Sequence, residues 1–188
     1  MKALSASYND CAILIYDESG SQICTTTVTS HDKRTVRLEV KDMPTSLHVG
    51  DSCRLLILTE PAPCEYMGRI ISEGANKIIG MYQGREKESR GAVRYKINTT
   101  AMVENLICDG RAYPLHTPLK VELVNISTSG VRFRGPSNAF SDGDRFQMRM
   151  KISDSEKLLI ADAVHHVATD SETTEYGCRF LVASERVV

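Results

Sequence analysis

Apolar and polar residues alternate over short runs along most of the chain, and this period of two predicts β-strands rather than helices. In 35–41 the apolar residues Val36, Leu38 and Val40 fall on one face. In 145–152 apolar residues alternate with charged or amide residues in the same way, as expected for a strand with one buried face. The pattern therefore predicts an all-β fold.

A polar stretch divides these runs into two groups. Residues 83–91 contain no hydrophobic side chain, which is typical of a segment between domains. We therefore predict two consecutive small antiparallel β-barrels, one in 1–84 and one in 85–188, with a linker region at 83–94. The predicted strands of the first barrel are 11–17, 22–30, 35–41, 52–59, 65–72 and 77–82. Those of the second are 93–103, 104–109, 119–125, 131–134, 145–152, 158–168 and 175–182.

Charge and composition exclude several classes of function. The 23 Lys and Arg residues nearly balance the 24 Asp and Glu residues, so no overall field favours a long nucleic acid, and an anion site has to be local. No apolar run reaches the length of a membrane span or a signal peptide, which predicts a cytoplasmic protein without membrane insertion. The six cysteines are scattered singly without a C-x-x-C pair, so we expect reduced thiols and no zinc site.

The first candidate site is the pair Arg90 and Arg94, four positions apart at the end of the polar stretch. A guanidinium can bond a phosphate or the O6/N7 edge of guanine in a bidentate way and can stack on a base. The spacing alone is weak evidence, because Arg145 and Arg149 repeat it on the polar face of a predicted strand. For that second pair we expect an ordinary solvated sheet surface.

The second candidate is the segment from Asn125 to Gly130, which joins two predicted strands. Asn125, Ser127 and Gly130 form an N-x-S-x-x-G pattern. Asn and Ser bond locally to the backbone in turns, and a glycine at position 130 allows a positive φ and the close approach of a ligand. A plain β-turn uses the same residue types, so this pattern also leaves a purely structural role open.

Taken in order, these features resemble the PilZ domain family, which pairs R-x-x-x-R with a later D/N-x-S-x-x-G on a six-stranded barrel. The likeness continues at 141–146, similar to the family's G-D-x-F turn, and at 175–180, similar to its closing strand, and it spans about 85–183. The first barrel looks like the split-barrel-like N-terminal domain of the flagellar-brake type of PilZ protein, on strand layout alone.

The resemblance implies a cyclic di-GMP receptor that changes its interdomain arrangement on binding, not an enzyme, with no catalytic residue, cofactor or metal. Arg90 and Arg94 would embrace guanine and phosphate, and Asn125, Ser127 and Gly130 would hold the other side. The implied partner is a protein of the flagellar motor or of polysaccharide synthesis. Whether one or two ligands bind, and whether the protein is a homodimer, stay open.

Three other functions are weighed against this one. A flavin-binding split-barrel oxidoreductase would suit the first barrel, and a PilZ-like scaffold could bind partner proteins without a ligand. A single-strand nucleic-acid module is disfavoured by the near-neutral charge and the lack of Trp. A metal site at His165 and His166 is disfavoured because neighbours on a strand point to opposite faces.

Overall fold

The computed structural model describes residues 7–32, 34, 37–60, 62–72, 74, 76–82, 92–152 and 155–181. The regular elements within these residues are all strands, which confirms the predicted all-β class. No helix suited to crossing a membrane occurs in this part of the chain. The strands are β1 (Ala12–Tyr16), β2 (Gln22–Asp32), β3 (Arg37–Lys41), β4 (Ser52–Ile57), β5 (Cys64–Ser72), β6 (Asn76–Tyr82), β7 (Tyr95–Cys108), β8 (Arg111–Ile126), β9 (Gly130–Pro136), β10 (Arg145–Ile152), β11 (Ser155–Ala168) and β12 (Thr173–Phe180).

The chain folds as two compact units, the first carrying β1–β6 and the second β7–β12. Each set of strands closes into a six-stranded barrel, as the alternation predicts. The domain boundary predicted at 84/85 falls within residues 83–91, which are outside the described residues, so that boundary remains a prediction.

The first barrel closes in the strand order β1-β2-β3-β6-β5-β4, and the strand pairs described in it are antiparallel. Its interior is aliphatic, with Ile13, Leu38, Val40, Leu55 and Ile79 fully buried. Leu38 and Val40 thus share the buried face predicted for them. Burying these large aliphatic groups supplies about 1.5–3 kcal/mol each toward the stability of the barrel.

The second barrel closes in the order β10-β11-β12-β9-β8-β7 and has a more aromatic core. Phe133 lies 5.9 Å, centroid to centroid, from Phe140 and from Phe146, and Tyr176 packs beside them. The Tyr176 hydroxyl donates to the carbonyl of Pro136 at 2.7 Å, so the buried phenol has the partner that it needs. On β10 the apolar residues are buried and the charged ones lie outward, as the alternation predicts.

Two strand predictions in the second barrel were wrong. The runs 93–103 and 104–109 form the single strand β7, whose register shifts at Glu104 in a β-bulge. The segment after it, expected to be irregular before 119, is already strand β8 from Arg111 onward.

The reason lies in a tight turn at Asp109 and Gly110, which was not predicted. Asp109 and Gly110 both adopt left-handed φ values, 51° and 74°, which matches a two-residue hairpin turn. Pro114 and Pro118 lie in the following segment, where no strand was predicted. They are tolerated because β8 pairs with β9 only from Glu122 onward, so at both prolines β7 is the one described neighbour.

Candidate functional site

The turn between β8 and β9 is organised by the side chain of Ser127. Its hydroxyl accepts hydrogen bonds from the backbone N–H groups of Ser129 at 3.2 Å and Gly130 at 3.1 Å. The Ser127 N–H donates to the Gly130 carbonyl at 2.8 Å. Ser127 is 4% exposed, so its hydroxyl points toward the backbone of the turn and stabilises the turn's conformation.

Gly130 is required for a reason different from the one expected. Its φ lies outside the left-handed range, so the turn does not use the positive φ that glycine allows. Instead, a Cβ at this position would lie 2.1 Å from the carbonyl oxygen of Cys178 on β12. Glycine is therefore needed because the backbones of β9 and β12 approach each other closely at the end of the turn.

Strand register brings distant residues into one row across the barrel surface. Lys96 pairs with Asn125, Asn125 with Arg132, Arg132 with Gly177, and Gly177 with His165. Directly opposed residues in a sheet point to the same face. The row thus crosses five strands on the outer face of the second barrel.

A surface pocket of about 220 Å³ lies over this row, and we call it the turn pocket. Of the five site residues predicted from the sequence, Arg94, Asn125, Ser127 and Gly130 line it. Arg90 lies outside the described residues. The structure therefore gathers four of the predicted residues around one concavity, although they are spread over more than thirty positions in the chain. The other lining residues are Ser129, Val131, Arg132, Val164, His165, Gly177, Cys178 and Arg179.

The turn pocket is cationic. Arg94, Arg132 and Arg179 contribute three guanidiniums, and no carboxylate occurs among the described residues that line the pocket. Carboxylates just outside it hold two of these side chains: Glu175 lies 3.0 Å from the Arg132 guanidinium, and Asp162 lies 3.6 Å from that of Arg179. Such contacts orient the two guanidiniums while leaving part of each facing the pocket.

Arg94 differs from those two arginines. It is exposed immediately before β7 and has no ion pair or hydrogen bond with another residue of the described chain. A guanidinium without a carboxylate partner is available to an anionic ligand without first breaking a contact. The pocket therefore combines two oriented cations with one uncommitted cation.

The second R-x-x-x-R pair is used differently. Arg145 donates to Asp162 at 2.7 Å, and Arg149 makes a bidentate contact with Glu104 at 2.8 and 2.9 Å. Hydrogen bonding to Arg149 lowers the pKa of the Glu104 carboxyl, and the same contact raises the pKa of Arg149. Both arginines are therefore engaged with carboxylates on the outer face of the sheet.

Four further pocket residues were not predicted from the sequence: Arg132, His165, Gly177 and Arg179. The alternation of β9 indicates only one of them: Arg132 lies two positions after Gly130 and therefore on the same face of the strand. The contribution of β11 depends on cross-strand register, which a single sequence does not reveal. His165 and His166 do differ in environment: His165 lines the turn pocket, while Nδ1 of His166 lies 2.9 Å from Asp142.

Cys178 forms part of the pocket floor but is not chemically activated. Burial raises the pKa of its thiol to about 12, with a smaller contribution from the nearby Asp162 carboxylate. The thiolate is the nucleophilic form of cysteine, so a raised pKa disfavours nucleophilic chemistry at Cys178 near neutral pH.

Comparison with solved structures finds similar but distant chains. YcgR of Escherichia coli in complex with c-di-GMP has a TM-score of 0.39 and 13% identity, covering 94% of this chain and 78% of that one. The K. pneumonia MrkH complex with c-di-GMP has a TM-score of 0.36 and 11% identity, covering 93% and 80%. PlzA of Borreliella burgdorferi, also in complex with c-di-GMP, has a TM-score of 0.31 and 9% identity, covering 95% and 88%.

A search of curated proteins finds no match. The sequence profile described as "PilZ domain" matches residues 85–187, which is more than half of the chain. That range contains the R-x-x-x-R and N-x-S-x-x-G motifs and every described residue that lines the turn pocket. This chain therefore belongs to the PilZ domain family.

Proposed function

We propose that the protein is a cyclic di-GMP receptor that binds the dinucleotide in the turn pocket of its second barrel. The observation that carries the proposal is the gathering of three guanidiniums and the Asn125–Gly130 turn around one concavity without a lining carboxylate. Membership of the PilZ family supports the same ligand, as the sequence motifs imply.

The chemistry of the pocket suits this ligand. Cyclic di-GMP carries two phosphodiester charges and two guanines, and guanidiniums are suited to both the phosphate oxygens and the O6/N7 edge of guanine. In our proposal Arg94 takes one such group, and the Asn125 amide, which offers both donors and an acceptor, bonds a base edge. Ser127 and Gly130 act by fixing the turn, through the contacts that they make with backbone.

The size of the pocket bears on the role of Arg90. Its volume of about 220 Å³ is below the roughly 300–1,000 Å³ of pockets that enclose a small ligand. A dinucleotide seated there would stay partly uncovered by the barrel. We propose that Arg90 contacts the uncovered part, so that ligand binding fixes the segment between the domains and changes their arrangement. Small-angle scattering with and without ligand tests this step, and identical profiles at saturation would reject it.

A calorimetric titration of the purified full chain with cyclic di-GMP tests the binding itself. We expect Arg94→Ala to weaken binding by roughly 1.5–3 kcal/mol, about 10- to 150-fold, because a charge-assisted contact is lost. Arg149→Ala is the matched control: it also removes an arginine from an R-x-x-x-R pair, but one that is engaged with Glu104 outside the pocket. Equal affinities for wild type and Arg94→Ala, or equal losses in both variants, would contradict the proposal.

The output of the receptor is the finer part of the proposal. We propose that the ligand-bound form acts in the cytoplasm on a protein of the flagellar motor or of polysaccharide synthesis, as the resemblance to the PilZ family implies. Replacing the chromosomal copy with Arg94→Ala should then change swimming or exopolysaccharide as deletion does. A strain with Arg94→Ala that behaves as wild type in both assays would argue against such an output.

A further inference from the structure

The imidazole of His165 lies directly over Gly177, and this contact depends on the missing side chain of the glycine. A Cβ at position 177 would be 2.0 Å from Cε1 of His165 and 2.6 Å from each ring nitrogen. The ring therefore occupies the space that a side chain on β12 would fill. Any larger residue at 177 would push the ring away from the sheet.

A β-bulge directs this part of β11 toward the turn pocket. The register of β11 against β12 shifts between Ala163 and His165, so that His165 stands opposite Gly177 and Val164 is the extra residue. Val164 is 47% exposed, and both it and His165 line the pocket. Bulges commonly redirect side chains in this way beside functional sites.

The place of His165 in the cross-strand row separates it from the predicted motif residues. Three strand spacings lie between Asn125 on β8 and His165 on β11, which is roughly 14 Å at about 4.8 Å per strand. Arg132 and Gly177 lie between them in the row. That separation suits a ligand with two ring systems, one near each end of the row.

The character of the β11 side of the pocket differs from the rest. It offers a flat heteroaromatic ring beside an exposed isopropyl group, while the guanidiniums of Arg94, Arg132 and Arg179 supply the positive charge. Nucleobases stack on aromatic rings, including His, and pack against apolar groups. The exposed isopropyl group offers a phosphate no hydrogen bond. No three His, Cys, Asp or Glu residues cluster in the described chain so as to hold a metal ion.

We propose that His165 is a base-contacting residue that packs its imidazole against one guanine of the ligand, and that Gly177 is the positioning residue that seats the ring. This inference rests on the proposed function, since it assigns a role within the same pocket. His165 lies in neither sequence motif, so it adds a contact from β11 on the far side of the site.

Titration of three variants with cyclic di-GMP tests the role of the ring. His165→Ala should weaken binding about 5- to 150-fold, which is the range for loss of one base–aromatic contact. His165→Phe keeps a flat ring and should stay within about threefold of wild type. His166→Ala is the matched control, because its neighbouring imidazole contacts Asp142 and does not line the pocket; its affinity should equal that of wild type.

A double-mutant cycle tests the seating by Gly177. Gly177→Ala should weaken binding in the wild-type background and add little in the His165→Ala background, because the ring that it displaces is then absent. Full additivity of the two losses would overturn the positioning role.

The outcomes also separate this inference from the proposed function. If wild type binds and Arg94→Ala weakens binding while His165→Ala does not, only the role of His165 is overturned. An equal loss in His165→Phe and His165→Ala would likewise reject the ring contact. If wild type itself fails to bind cyclic di-GMP, both the proposed function and this inference are overturned.

Discussion

The two barrels of this chain share one strand arrangement, but the cationic pocket described above belongs to the second. The first closes as β1-β2-β3-β6-β5-β4, and the second, counted from its own first strand, closes as β7-β8-β9-β12-β11-β10. The third and sixth strands of each barrel also pair in matching register. The corresponding pairs are Leu38 with Ile79 and Glu39 with Ile78 in the first barrel, and Val131 with Cys178 and Arg132 with Gly177 in the second.

The irregularities of the strands match as well. In each barrel the pairing of the second strand with the third shifts register, at Thr29 in the first barrel and at Val124 in the second. The fifth strand of each barrel has a shift at Ile71 and Val164, respectively. The backbone of the first barrel therefore has positions equivalent to those that surround the turn pocket in the second barrel.

The side chains at those positions differ in chemistry. Glu39 places a carboxylate at the position of Arg132. Ile78 stands at the position of Gly177, whose missing side chain leaves room for the imidazole of His165. The positions that carry Arg132, Gly177, His165 and Arg179 in the second barrel carry Glu39, Ile78, Ser72 and Gly80 in the first. The comparison shows that the two barrels supply equivalent backbone positions, whereas the charge and size of the side chains there differ.

The largest effect is expected when one position of the second barrel is converted to the residue of the first. Arg132→Glu removes a pocket guanidinium and places a carboxylate beside Glu175, so we expect cyclic di-GMP affinity to fall more than a hundredfold, about 3 kcal/mol or more. A calorimetric titration measures the change.

The control for that variant is Arg134→Glu. Arg134 also contacts Glu175, at 3.4 Å, but does not line the turn pocket. It should show a comparable like-charge effect on stability with almost unchanged affinity. If both variants bind equally well, or equally poorly, the account of the pocket is wrong.

The next effect concerns the close approach of β9 and β12. Gly130→Ala would put a Cβ 2.1 Å from the Cys178 carbonyl oxygen, so the strands must separate. We expect a loss of roughly 1–3 kcal/mol in the free energy of unfolding, together with weaker ligand binding. Gly135→Ala on the same strand makes its closest contact with the Val121 side chain, at 3.3 Å, and should cost less. Urea unfolding of both variants decides, and equal stabilities would refute the steric explanation.

The smallest effect is expected at the second arginine pair. The contact with Arg149 lowers the pKa of Glu104 below its usual 4.5, so the ionised carboxylate stabilises the folded state. This contribution is present above about pH 4.5 and is lost as the pH falls through the lowered folded-state pKa. Because both side chains are partly exposed, Glu104→Gln should cost less than about 1 kcal/mol at pH 7 and nothing at pH 2. A larger loss at pH 2 than at pH 7 would contradict the sign of this linkage.

Periodicity and motif spacing predicted the fold class and four of the described pocket residues. The alternation at Leu38 and Val40 predicted their burial, and the N-x-S-x-x-G pattern located the turn. These features depend on local chemistry, which a sequence contains directly. The same reasoning failed at the β7–β8 hairpin, where no strand was predicted before 119, although an edge segment tolerates Pro114 and Pro118.

The remaining features depend on register between strands far apart in sequence. Nothing local in β9 indicates that Arg132 faces Gly177, or that a bulge in β11 seats His165 on that glycine. The reason for Gly130 was equally hidden, because the carbonyl that it approaches belongs to Cys178. Long-range pairing, rather than residue type, determines these parts of the site.

A nuclear magnetic resonance titration of the full chain with cyclic di-GMP tests most directly whether the dinucleotide binds in the turn pocket. It follows the backbone amides of both barrels. The account predicts saturable shifts at Ser129, Gly130 and Gly177, with little change at Glu39 and Ile78, which hold the matching positions of the first barrel. Shifts confined to the first barrel, or none at either place, would contradict it.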